Sequence, residues 1–124
     1  MTLRISTLPL KLAVCRLDPR SPLPEWARGE FVTLTRTKDE LSVVCDDEAV
    51  PPGVHAERNW RCFRVEGPIP FETTGVALAL VEPLATRGIS VFLIATYDTD
   101  YLMVKEEAFD RAAQALRDAG HDLR

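Results

Sequence analysis

Five of the chain's nine prolines, Pro19, Pro22, Pro24, Pro51 and Pro52, fall within residues 19–52. Proline has no backbone donor and its ring collides with the preceding turn, so neither proline-bearing segment can hold a regular helix. The first half must therefore be built mainly from strands. Residues 10–17 read as one strand, residues 30–35 as a second and residues 41–45 as a third, with 36–40 a polar hairpin loop. Residues 46–53 can make no more than a short helical turn or loop.

The second half reads differently. Residues 60–67 alternate bulky apolar side chains with arginines and form a strand ended by Pro68. Val76, Leu80, Val81 and Leu84 follow the spacing of one helical face, which predicts a helix over 75–86. Pro83 lies inside it, deprives the Ala79 carbonyl of its intrahelical donor and should kink it. Residues 89–95 and 101–104 are apolar on both faces and are expected as strands covered on both sides, with 96–100 the hairpin between them. Phe109, Ala112, Ala113, Leu116 and Ala119 mark a final helix, acidic at its start and closed by Gly120. Strand, helix, strand, strand, helix is the ferredoxin-like α+β order with its last strand short or missing.

The halves also resemble each other. Thr35, Asp39, Leu41 and Val43 match Thr96, Asp100, Leu102 and Val104 at an offset of 61 (96 − 35). Arg28-Gly29 matches Arg87-Gly88, and Glu48-Ala49 matches Glu107-Ala108, both at 59 (87 − 28, 107 − 48). The matches keep their order relative to the same elements, which predicts a tandem duplication, residues 1–60 being a helix-poor half and 61–124 the fuller one.

Charge and chemistry narrow the function. A net charge of −4 lacks the clustered Lys and Arg excess that nucleic-acid or anionic-membrane binding requires. No run approaches the ~18 apolar residues of a membrane span, and three cysteines without metal spacing suit buried thiols in a reducing cytoplasm. His55 and His121 have no metal-like partners nearby and are expected as solvated surface residues. Nucleophile elbow, phosphate loop and dinucleotide fingerprint are all missing, so the expectation is a protein that is not an enzyme and carries no cofactor.

Arg61-Cys-Phe-Arg-Val-Glu-Gly67, Thr74-Gly-Val76, Gly88-Ile-Ser-Val-Phe92 and the run Ala95 to Glu107 together resemble the small bacterial ACT-domain proteins. Those consist of two ACT-like halves and are related to the ACT repeats of aspartate kinase and of the animal cytosolic arginine sensor. The resemblance implies a regulatory βαββαβ fold that binds an amino acid or similar small effector between ACT units. Carried over by position, its ligand-binding residues are Thr73, Thr74, Gly75 and Val76 at the entry to the first helix, and Thr96, Tyr97, Asp98 and Asp100 at the end of the second strand. Backbone N–H groups at a helix start suit a ligand carboxylate, and Asp98 or Asp100 suits an ammonium. Thr74 as a simple N-cap and the aspartates as simple turn formers are the structural alternatives. Apolar residues on both faces of 89–95 and 101–104 further suggest a homodimer. An interaction or oligomerisation module without ligand is the competing function.

Overall fold

The computed structural model describes residues 1–124 in the order β1 (Arg4–Leu17), β2 (Thr33–Arg36), β3 (Leu41–Asp46), β4 (Ala56–Val65), α1 (Val76–Ala85), β5 (Phe92–Ala95), β6 (Asp100–Lys105), α2 (Phe109–Asp118) and β7 (Asp122–Leu123). The chain divides into two compact units, one formed by Met1–Pro9 with Arg61–Arg124, the other by Leu10–Trp60. No helix is long and apolar enough to cross a membrane.

The larger unit has the strand order β1, β4, β6, β5, with β7 pairing β1 in parallel through Arg4↔Asp122 and Ile5↔Leu123. Helices α1 and α2 bury their apolar stripes, Leu80 and Leu84 from one and Ala112 and Leu116 from the other, in a core with Ile5, Phe63, Leu102 and Val104. In a βαββαβ unit the last strand lies beside the first. Here residues 4–9 take that place beside β4, and Glu66 N–H donates to the Arg4 carbonyl at 2.8 Å. The expected division at residue 60 thus meets a unit that also takes in Met1–Pro9. The two residues of β7 are too few to bury a row of the core, so a strand from far away in sequence supplies it.

Two sequence expectations are corrected in this unit. Strand β5 is not covered on both sides: Leu93 and Ala95 are exposed, because β5 is last in the strand order and the core lies over β6, where Leu102 and Val104 are fully buried. His121 is not a solvated tail residue but is 7% exposed. Its Nδ1 accepts the Leu3 N–H at 3.1 Å and its Nε2 lies 2.8 Å from the Ala79 carbonyl. Helix α1 continues through Pro83, and the carbonyl that proline leaves without an intrahelical donor is the one His121 meets.

The smaller unit has the order β2, β3, β1, β4 and only a three-residue 3-10 turn, Asp47–Ala49, as the prolines require. Ala13, Cys15, Leu41, Val43 and Cys45 form its core, with Trp26, Ala27 and Val32 of the proline-bearing loop packed against it. The Asp47 carboxylate accepts from Arg58 at 3.1 Å and from the Asn59 N–H at 2.8 Å, holding Asn59 at φ 64° in the left-handed region where asparagine is tolerated.

Each unit therefore has one strand order, hairpin first strand, hairpin second strand, entering strand, closing strand. The hairpin turns agree in detail: Thr37 N–H donates to the Glu40 carbonyl at 2.9 Å, and Thr96 N–H to the Thr99 carbonyl at 2.9 Å. Those turns align at an offset of 59 (96 − 37), so the four-residue match at 61 is slipped by two positions, which leaves every side chain on its face.

Candidate functional site

The larger unit's hairpin turn is built to hold its shape. Thr96 Oγ1 donates to the Thr99 carbonyl at 2.9 Å and receives the Thr99 N–H at 3.4 Å. Thr99, 3% exposed, sends its own hydroxyl to the Val65 carbonyl at 2.7 Å, fixing the turn to the end of β4. The segment after β4 then crosses back over the turn, and Ile69 N–H donates to the Asp98 carbonyl at 2.7 Å. Gly67 permits this approach. A Cβ there would stand 3.1 Å from the Asp98 carbonyl oxygen and 3.1 Å from Thr99 Cβ.

Between this turn and the start of α1 lies a cavity of about 170 Å³, walled by Ile69, Pro70, Thr73 and Val76 on one side and by residues 95–100 on the other. Six of the eight expected residues meet here: Thr73, Val76, Thr96, Tyr97, Asp98 and Asp100. Gly75 does not. It caps α1 at φ 84° and opens on a separate groove of about 540 Å³ with Leu78, Pro83 and Ala119. Thr74 is exposed, lines neither hollow and provides no side-chain cap. The first intrahelical bond, Ala79 N–H to the Gly75 carbonyl at 3.0 Å, leaves the N–H groups of Val76, Ala77 and Leu78 without helical acceptors.

Sequence reasoning missed Phe71. Its ring meets Tyr97 edge-on at 4.8 Å between centroids, while both residues stay largely exposed, at 72% and 80%. Pro68 and Pro70 flanking Ile69 were the available signal that this loop is ordered. The lining is electrostatically one-sided, since it holds the Asp98 and Asp100 carboxylates and no Lys, Arg or His. Such a pocket favours a ligand's positive group, and the rings beside it can present a π face to the same charge.

A second cavity of about 400 Å³ shares Ile69, Pro70, Thr73 and Val76 with the first and extends past Val65 to Thr2, Leu3 and Arg4. Its carboxylate, Glu66, is already engaged by Ser6 Oγ at 3.0 Å and Arg124 at 3.9 Å. Arg4, an exposed residue, also borders this cavity.

Known proteins share this architecture. A crystal structure of a protein from Agobacterium tumefaciens is 37% identical with a TM-score of 0.94, covering 100% of this chain and 93% of that one. The regulatory subunit of aspartate kinase from Thermus thermophilus has the same fold at 13% identity, with a TM-score of 0.67 over 97% of this chain and 99% of that one. The bovine cytosolic arginine sensor for mTORC1 subunit 1 is 30% identical over 96 residues, which is 68% of this chain and 29% of the sensor, so the chain spans under a third of that relative. One family profile, described as an N-terminal domain, matches residues 11–53, and another, described as "ACT domain", matches residues 55–118. With more than half of its residues inside that second match, and the βαββαβ order completed by its own N-terminal strand, the chain belongs to the ACT domain family.

Proposed function

We propose that this ACT protein is a regulatory sensor that binds an amino acid, or a similar small polar effector, without transforming it. The observation that carries the reading is the convergence of two carboxylates, Asp98 and Asp100, with the start of α1 on one cavity. A zwitterion's ammonium would sit on the aspartates and its carboxylate would face the unpaired N–H groups that begin the helix, where the dipole favours negative charge. That a relative is named an arginine sensor agrees with a ligand of this class. Thr96 and Thr99 spend their hydroxyls on the Thr99 and Val65 carbonyls, which supports binding rather than turnover as the role of this pocket.

At about 170 Å³ the cavity is smaller than the ~300–1,000 Å³ of complete small-molecule sites. A second copy of the chain laid over the exposed Phe71 and Tyr97 would close it, which makes a homodimer the expected working form. Thermal denaturation with each of the twenty amino acids tests the reading. A ligand at 100 times its Kd stabilises the native state by about 2.7 kcal/mol, several degrees in Tm for a chain of this size. Asp100→Ala or Asp98→Ala should remove the shift. If no amino acid raises Tm while the protein stays oligomeric, the alternative of a pure interaction module replaces it.

A further inference from the structure

One buried ring joins helix α1 to the segment ahead of β1. His121 takes the Leu3 N–H on Nδ1 at 3.1 Å and stands 2.8 Å from the Ala79 carbonyl with Nε2. The first bond requires a bare Nδ1, so only the neutral ring, with its proton on Nε2, satisfies both main-chain groups. A second proton can enter only at Nδ1, where it meets the Leu3 N–H donor to donor. We infer that His121 is an acid-released latch: the neutral ring holds Met1 and Thr2 in place through the Leu3 amide, and the protonated ring lets them leave the two cavities they wall.

The reach of the release follows from the bonding. Strand β1 begins at Arg4, and the Asp122 N–H holds the Leu3 carbonyl at 2.9 Å without involving the ring, so the sheet stays closed from that carbonyl onward. Met1 and Thr2 lie ahead of it. Met1 walls the groove of about 540 Å³, and Met1 and Thr2 wall the cavity of about 400 Å³, so both hollows lose a side when the latch opens. The charged groups that line the groove with His121 are Glu82 of α1, Asp118 at the end of α2 with its ion-pair partner Arg87 at 2.7 Å, and Met1 with its amino group. Asp122, next in sequence, is paired with Arg124 at 3.2 Å. The ring spends its nitrogens on main-chain groups rather than on any of these, so its own protonation decides the Leu3 bond.

Two-dimensional NMR of the isotope-labelled full chain, titrated from about pH 8 to about pH 5, covers the range in which histidine takes up its proton. As the His121 ring titrates, the heteronuclear NOE of Thr2 and Leu3 should fall. Protection of the Leu3 amide from exchange, corrected for its intrinsic pH dependence, should drop about tenfold, the scale of one lost hydrogen bond. The Arg124 amide, which donates to the Ile5 carbonyl at 2.8 Å, should keep its protection and serves as the internal reference. In His121→Gln, whose side chain accepts and donates at every pH, Leu3 should stay protected across the range. A Leu3 amide that ignores the His121 titration, an equal loss in His121→Gln, a loss shared by Arg124, or a ring that stays neutral down to acid unfolding would each overturn the latch.

Discussion

Nε2 of His121 lies 2.8 Å from the carbonyl of Ala79, the acceptor that Pro83 leaves without its helical donor. Because Nδ1 accepts the Leu3 N–H at 3.1 Å, the neutral ring carries its proton on Nε2 and donates to Ala79. One side chain thus repairs α1 and fastens the N-terminal strand. His121→Ala should leave both groups unpaired, at about 1–3 kcal/mol each. His121→Gln, which can also donate and accept, should recover part of the loss. Pro83→Ala restores an N–H to α1, so it should stabilise the His121→Ala background by about 1 kcal/mol more than it stabilises wild type. Additive changes in urea unfolding would show that the two residues are not coupled.

Gly67 and Thr99 hold the site from beneath. Gly67→Ala places a methyl 3.1 Å from the Asp98 carbonyl oxygen, which cannot withdraw without breaking its 2.7 Å bond from Ile69. We expect a loss of about 1–3 kcal/mol, together with weaker ligand binding, because the turn must shift. Thr99→Val keeps the shape but removes the donor to Val65, at about 1–3 kcal/mol. Chemical denaturation and ligand titration of each variant measure the two effects.

Tyr97 and Phe71 make the opposite prediction. Both rings are mostly in water, so Tyr97→Ala or Phe71→Ala should alter stability by no more than ~0.5 kcal/mol. Their loss should nevertheless weaken ligand binding or dimer formation. Analytical ultracentrifugation with and without amino acid separates those outcomes, and a variant unchanged in both would remove the aromatic pair from the site.

The buried thiols set an alkaline limit. Burial pushes Cys62 from 9.0 up to about 12, and burial, with the neighbouring Cys45 adding to it, pushes Cys15 up to about 11. Above pH 9 the unfolded chain's thiols ionise while the native ones stay protonated, so the native state loses stability as pH rises from about 9 towards 11 and 12. Below pH 9 the contribution is complete. Since Cys62→Ala has no thiol there to ionise, the stability difference between wild type and this variant should shrink steadily across that window. A difference independent of pH would contradict the assignment.

Local chemistry alone determined much of this protein. The periodicity of Phe109, Ala112, Ala113 and Leu116 is the stripe α2 buries, the prolines leave residues 10–60 with no more than the three-residue 3-10 turn, and a threonine opens each of the two hairpin turns. These features depend on neighbours a few residues apart, so a pattern reader can see them. Pairing between distant segments lies outside that reach. Periodicity tells which face of residues 4–9 is apolar, but not that this segment closes the unit made by Arg61–Arg124, and so not that Arg4 would border a cavity there. His121 looked like a tail residue because its two partners, Leu3 and Ala79, lie 118 and 42 positions away. Sequence adjacency places Thr74 and Gly75 beside Thr73 and Val76, yet Gly75 turns left-handed at the start of α1, and of these four only Thr73 and Val76 line the cavity with the aspartates. The tertiary structure decided these points because hydrogen bonds and cavity walls are set by where the backbone passes in space, and sequence separation carries little of that information.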